Sequence, residues 1–150
     1  MLSKLYSVTI EGIEAQICEV EVDVSQSGFD KPMIVGLPDA AVKESSERVR
    51  SAIVNSGFTY PDTKTLVNLA PADIKKEGPS FDLPIAAGIL AATGIVELPK
   101  LSQYAMVGEL ALSGEIRRVR GVLPITLEMR KKGKKGILVP EDNAEEAAVQ

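Results

Sequence analysis

Tyr6, Val8 and Ile10 alternate with polar neighbours, which predicts a half-buried strand at the start of the chain. Glu11-Gly12 reads as a turn. Ile13, Ala15 and Ile17 then alternate with Glu14 and Gln16, after which the phase slips: Cys18, Val20, Val22 and Val24 become the apolar set, against Glu19, Glu21 and Asp23. A one-residue slip turns the buried face over, so a bulge or strong twist is expected near Ile17-Cys18. Ser25 to Asp30 reads as a polar loop, and Met33-Ile34-Val35 as a short buried strand ending at Gly36.

Asp39 is a good N-cap for a helix from Ala40 to about Ser56, with Gly57 as its stop. Val42, Val49, Ala52 and Ile53 form its apolar stripe, and Lys43, Glu44, Glu47, Arg48 and Arg50 are expected to face water. Thr65 to Leu69 reads as a strand, Pro71 to Ser80 as a loop, and Asp82 to Ala92 as a helix with Pro84 in its first turn and Gly94 beyond its end. Ala105 to Ile116 reads as a hairpin turning at Ser113-Gly114. A helix over Gly121 to Arg130, a strand over Gly136 to Val139 and a capping-box pair, Asn143 and Glu146, complete the pattern. Strands first, then helices alternating with strands, predict an α/β (α+β type) domain with helices packed on a mixed sheet. The 150 residues suffice for one domain, and a chain that stops in a nascent helix reads as a piece of a longer protein.

Composition narrows the chemistry. Aromatics are 4% of residues, so Val, Ile, Leu and Ala must supply the core. No apolar run reaches the ~20 residues that span a bilayer. The start does not read as a signal peptide, and a cytoplasmic protein is expected. With no histidine, Ser-His-Asp and Cys-His systems are excluded and the commonest zinc ligand is missing. One cysteine, Cys18, excludes an internal disulfide and reads as a small buried hydrophobe, and no metal site is expected. The net charge of −4 is unevenly placed: Arg117, Arg118, Arg120, Arg130, Lys131, Lys132, Lys134 and Lys135 face one acid, Glu128, in their segment.

Three features bear on function. Lys75 to Asp82 approaches a helix start, where free backbone N–H groups stabilise an oxyanion or phosphate. Either Ser80 is a nucleophile there, needing a lysine or carboxylate as base, or Ser80 or Asp82 merely caps the helix. The basic clusters either contact phosphates without reading sequence or form a solvated face. No GxxxxGK[ST] or GxGxxG appears, so no nucleotide site and no cofactor is expected in this chain.

Four segments carry a resemblance: Val35 to Ser45, Val67 to Asp73, Lys76-Glu77-Gly78-Pro79-Ser80-Phe81-Asp82-Leu83-Pro84-Ile85, and Gly108 to Gly114. Together they resemble the N-terminal part of magnesium-chelatase-like ComM/YifB proteins, from about Leu5 to Ala148. The resemblance implies a Lon-protease-like domain, with a fold like the second domain of a small-subunit ribosomal protein. It also implies a following AAA+ ATPase module that uses ATP and magnesium. The parent proteins resemble ring-forming DNA branch-migration motors acting in recombination during natural transformation. Ser80 falls at the Lon serine, while Leu123 falls where the Lon lysine would be, and a leucine cannot accept a proton. Arg120, the basic residue nearest by, stays protonated. The resemblance therefore implies a non-catalytic module that supports assembly and touches DNA, Ser80 being a vestige. The alternatives are a peptidase in which Lys75 or Lys76 serves Ser80, and a protein-docking module.

Overall fold

The computed structural model describes residues 1–11, 14–28, 31–97, 103–119, 136–138 and 148. Its main sheet has six strands in the order β3-β4-β2-β1-β5-β8. These are β1 (Leu2–Glu11), β2 (Glu14–Val24), β3 (Met33–Val35), β4 (Thr65–Ala70), β5 (Tyr104–Met106) and β8 (Gly136–Leu138). The β1-β2 and β2-β4 pairs are antiparallel; β3-β4, β1-β5 and β5-β8 are parallel. The mixed α/β architecture matches the sequence expectation. Helices α1 (Ala40–Lys43), α2 (Ser45–Asn55) and α3 (Asp82–Ala92) and a two-stranded hairpin, β6 (Glu109–Leu110) with β7 (Ile116–Arg117), lie among the other described residues.

The expected bulge is absent. The β1-β2 register runs unbroken from Leu2↔Asp23 to Glu11↔Glu14. The phase slip arises because different stretches of the sheet are buried on opposite faces. Cys18, Val20, Val22 and Val24 join Leu5 in the large core under the helices. Ala15 and Ile17 lie on the other face, with Val8 and Ile10, in a second cluster that includes Ala105, Val107 and Val119. A strand covered on both faces alternates between two cores, so a change in apolar phase needs no change in register.

Helix α3 is the keystone of the large core. Pro84, Ile85, Ala86, Gly88, Ile89 and Ala92 are all buried along it. Gly88 permits the approach: a Cβ there would lie 2.5 Å from Val22 Cγ2. Ser3 Oγ donates to the Gly88 carbonyl at 2.7 Å, tying β1 to the helix. The helix over 40–56 is interrupted at Glu44, and Asp39 caps its start as expected, Oδ1 accepting from Val42 N at 2.8 Å. The stripe Val42, Val49, Ala52 and Ile53 is buried as expected.

Two expectations shift by physical detail. β3 is an edge strand, half-buried, with Met33 53% exposed, because only β4 pairs with it. The hairpin is shorter than predicted, since Ala105 belongs to the main sheet. Its turn lies one residue earlier: Gly114 N donates to the Ala111 carbonyl at 2.9 Å, placing Leu112-Ser113 at the tip. The predicted helix over Gly121 to Arg130 and the Asn143/Glu146 cap lie outside the described residues. Among the described residues no helix is long and apolar enough to cross a membrane.

Candidate functional site

The four sequence segments converge on one loop, residues 71–83. The segment after β3 meets it through backbone: Lys76 N donates to the Leu37 carbonyl and Asp39 N to the Lys76 carbonyl, each at 3.0 Å. Asp39 spends its second oxygen on Gly78 N at 3.1 Å. The end of β4 contributes the Pro71 carbonyl, which accepts from Lys76 Nζ. From the hairpin side, Gly108 N donates to the Ser80 carbonyl at 2.9 Å, and Leu83 N donates to the Gly108 carbonyl at 3.0 Å. The Gly78-Pro79-Ser80 turn is thus fixed by the Asp39 carboxylate on one side and the Gly108 backbone on the other.

Asp82 does not cap α3, and neither does Ser80; the cap position is Phe81, with no side-chain cap bond. Asp82 is instead a fully buried anion. It accepts from Ser45 Oγ at 2.5 Å, from Arg48 Nε at 2.7 Å and Nη2 at 3.0 Å, and from Leu110 N at 3.0 Å. These bonds join α2, α3 and the hairpin at one carboxylate. Arg48 therefore does not face water as a free charge. Its guanidinium pKa is raised by the hydrogen bond to Asp82, partly opposed by burial. A bidentate arginine with backbone and hydroxyl donors supplies the hydrogen bonds a buried carboxylate needs.

Among the described residues Lys76 is the largest side chain that is fully buried. Desolvation lowers its pKa from the ordinary 10.5, with Cys18 and then Asp73 acting in the opposite sense. Burial therefore makes the ammonium less favourable here than on an exposed lysine. The sequence offers Lys76 as a candidate base for Ser80, but no local pattern in the run Lys75-Lys76-Glu77 shows that it is buried. Acidification should cost stability here. A base whose pKa is lowered by folding contributes stability above its unfolded pKa, lost as pH falls through the folded value. Lys76→Met should therefore flatten the fall in Tm as pH is lowered from about 10.5; an unchanged slope would show that another group carries it.

Cys18 is fully buried as expected, and burial pushes its thiol up from 9.0 to about 11, with Lys76 and the Thr9 backbone opposing. The native protein at pH 8 should therefore resist thiol reagents that label it rapidly in urea. Rapid labelling without denaturant would refute this assignment.

Ser80 is half-buried, and its hydroxyl has no hydrogen-bond partner among the described residues. Neither neighbouring lysine serves it: Lys75 Nζ lies 3.7 Å from Glu77 Oε1 at the surface, and Lys76 Nζ is held by Pro71. Because Ser80 caps nothing, Ser80→Ala should change unfolding free energy by no more than ~0.5 kcal/mol. Urea titration of both proteins checks this, and a loss above ~1 kcal/mol would reveal a missed partner. Arg117 and Arg118 are exposed on and just after β7. Arg120, Leu123, Arg130, Lys131, Lys132, Lys134 and Lys135 lie outside the described residues. Among the described residues no three His, Cys, Asp or Glu side chains are grouped to hold a metal ion.

The loop and its four contributing segments can be compared with known proteins. A family described as subunit ChlI of Mg-chelatase matches residues 20–143. The chain belongs to the magnesium-chelatase ChlI-subunit family. Within this ChlI family it groups with ComM and YifB. It is 45% identical over 150 residues to Competence protein ComM of Haemophilus influenzae, covering 99% of this chain and 29% of that protein. It is 45% identical over 148 residues to the uncharacterized protein YifB of Escherichia coli, again 29% of that protein. The chain thus spans less than a third of the length of these relatives. It is also 32% identical over 101 residues to Lon protease 2 of Bacillus subtilis, covering 67% of this chain and 18% of that protein. The ChlI-family chain therefore shares its fold class with part of Lon.

Proposed function

We propose that this chain is a non-catalytic N-terminal module of a magnesium-chelatase-like AAA+ ATPase, forming a single Lon-protease-like domain over 1–150. In this reading it supports ring assembly and contacts DNA in cytoplasmic recombination and branch migration during natural transformation. ATP and magnesium then belong to the ATPase module of the longer relatives. The observation that carries the non-catalytic part is the loop chemistry. The Ser80 hydroxyl has no base within the described residues, and the neighbouring lysines are engaged elsewhere. The name of the ComM relative supports competence as the setting. Arg117, Arg118, Arg120, Arg130, Lys131, Lys132, Lys134 and Lys135 are the proposed phosphate contacts, and no metal is assigned. The loop Lys76, Glu77, Gly78, Pro79, Ser80 and Asp82 is proposed to be structural.

The test is fluorescence anisotropy with labelled single-stranded and branched DNA across a salt series. Affinity should fall steeply with salt, because neutralised phosphates release counterions. Reversing Arg117, Arg118 and Arg120 should weaken binding and shallow that slope. No binding at low salt would remove DNA contact from this chain. The second reading is a Lon-type peptidase acting through Ser80, supported by the similarity to Lon protease 2. Labelling of native Ser80 by a fluorophosphonate, abolished by denaturation, would favour it.

A further inference from the structure

Arg117 and Arg118 are adjacent in the chain, but the hairpin gives them different electrostatic surroundings. β6 and β7 pair through Leu110↔Ile116 and Glu109↔Arg117. Residues directly opposite in an antiparallel pair share a face, with Cβ atoms ~4.5–5.5 Å apart. Leu110 and Ile116 occupy one face, where both line an apolar groove against α2 and α3. Glu109 and Arg117 occupy the other, a carboxylate beside a guanidinium. Arg118 stands past the end of this ladder, and the residue before Glu109 is Gly108, which has no side chain.

Arg48 is the second cation in the field of Glu109. Its pKa is raised first by the hydrogen bond to Asp82, and Glu109 adds to that from farther away. Arg48 already meets two other carboxylates, Asp82 at 2.7 Å and Glu44 at 3.5 Å, so its charge is balanced without Glu109. Arg117 has Glu109 alone opposite it in the ladder. The carboxylate is half-buried and the arginine exposed, so a phosphate reaching Arg117 arrives beside Glu109. Glu115, the hairpin's other acid, lies outside the ladder, where its carbonyl accepts from Ala111 N at 2.9 Å. No arginine stands opposite it.

We propose, resting on the DNA reading above, that Glu109 competes with nucleic-acid phosphate for the Arg117 guanidinium and so limits how tightly the hairpin binds. Carboxylate and phosphate oxygens are alternative acceptors for the same fork of N–H donors. A phosphate at Arg117 must displace the carboxylate and then lie near it as a like charge, which opposes binding. Arg118 carries no such cost, since no acid stands opposite it in the ladder. The two arginines therefore contribute unequally: Arg118 is the open contact, and Arg117 is held back by its cross-strand neighbour.

Fluorescence anisotropy with a labelled single-stranded oligonucleotide tests this. Glu109→Gln should tighten binding roughly two- to fivefold, the scale of one exposed ion pair. It should also steepen the salt dependence by about one phosphate contact. Glu115→Gln removes the same charge from the same hairpin without releasing an arginine, and should tighten binding less. In an Arg117→Gln background the gain from Glu109→Gln should shrink, because no guanidinium is left to release. Glu109→Asp keeps the charge beside Arg48 and shortens its reach, and should tighten binding in part. Circular dichroism of each variant should match the wild type. A wild type that binds while Glu109→Gln binds no tighter would overturn the competition alone. Equal gains from Glu109→Gln and Glu115→Gln, or a gain undiminished without Arg117, would also overturn it, since either shows only a general loss of negative charge. A wild type that binds no DNA at low salt would overturn the DNA reading, and the competition with it.

Discussion

Gly36→Ala is expected to destabilise the protein by more than ~3 kcal/mol, a large share of the ~5–15 kcal/mol that holds a domain folded. Two costs coincide. Gly36 has φ +107°, where an L-residue pays ~1–2 kcal/mol. A Cβ there would also lie 1.9 Å from the Leu69 carbonyl oxygen, a backbone atom inside β4. Relief requires β3 to separate from β4, its one strand partner. That separation would also disturb Leu37, at φ 56°, whose carbonyl receives Lys76 N. The control is Gly28→Ala, with φ +102° but nothing within 4 Å of the added carbon. Urea titration of the two variants separates conformational strain from collision. Equal losses would mean that the β3-β4 approach yields at little cost.

How far this was legible in sequence depends on the range of the force involved. Helix α3 is bounded by local signals, an early proline and a late glycine, and it falls where those signals place it. Asp39 capping was legible for the same reason. The β2 phase change is visible in the sequence, but alternation reports burial and does not say on which face a partner lies. Arg48 sits on the polar side of the α2 pattern, yet its partner is 34 residues away, and no local periodicity encodes that pairing. Lys76 is the extreme case, a buried amine inside a run of charge. The convergence of the four motif segments on one loop was invisible as spacing. It becomes physical only when Asp39, Pro71, Gly108 and Leu110 are seen donating to or accepting from that loop.

The second large effect concerns Arg48 and Asp82. Arg48→Leu should cost ~3–5 kcal/mol, because it leaves a fully buried carboxylate without its cation. Ser45 Oγ and Leu110 N would remain as donors, but both are neutral. Asp82→Leu should cost less. The Arg48 side chain is 20% exposed and already lies 3.5 Å from Glu44, so its charge keeps solvent and one partner. The residual loss is the Leu110 amide and the Ser45 hydroxyl, stranded inside. If the pair acts as a unit, the double variant should be less destabilised than the sum of the singles by ~1–3 kcal/mol. Additive losses would mean that Arg48 and Asp82 act independently. The same carboxylate connects α3 to β6, so hydrogen exchange at the Leu110 amide should rise in Asp82→Leu more than at α3 amides distant from it. Uniform acceleration would point to global loosening; a local rise would identify Asp82 as the tie that sets the hairpin, and with it Arg117 and Arg118, against the helices.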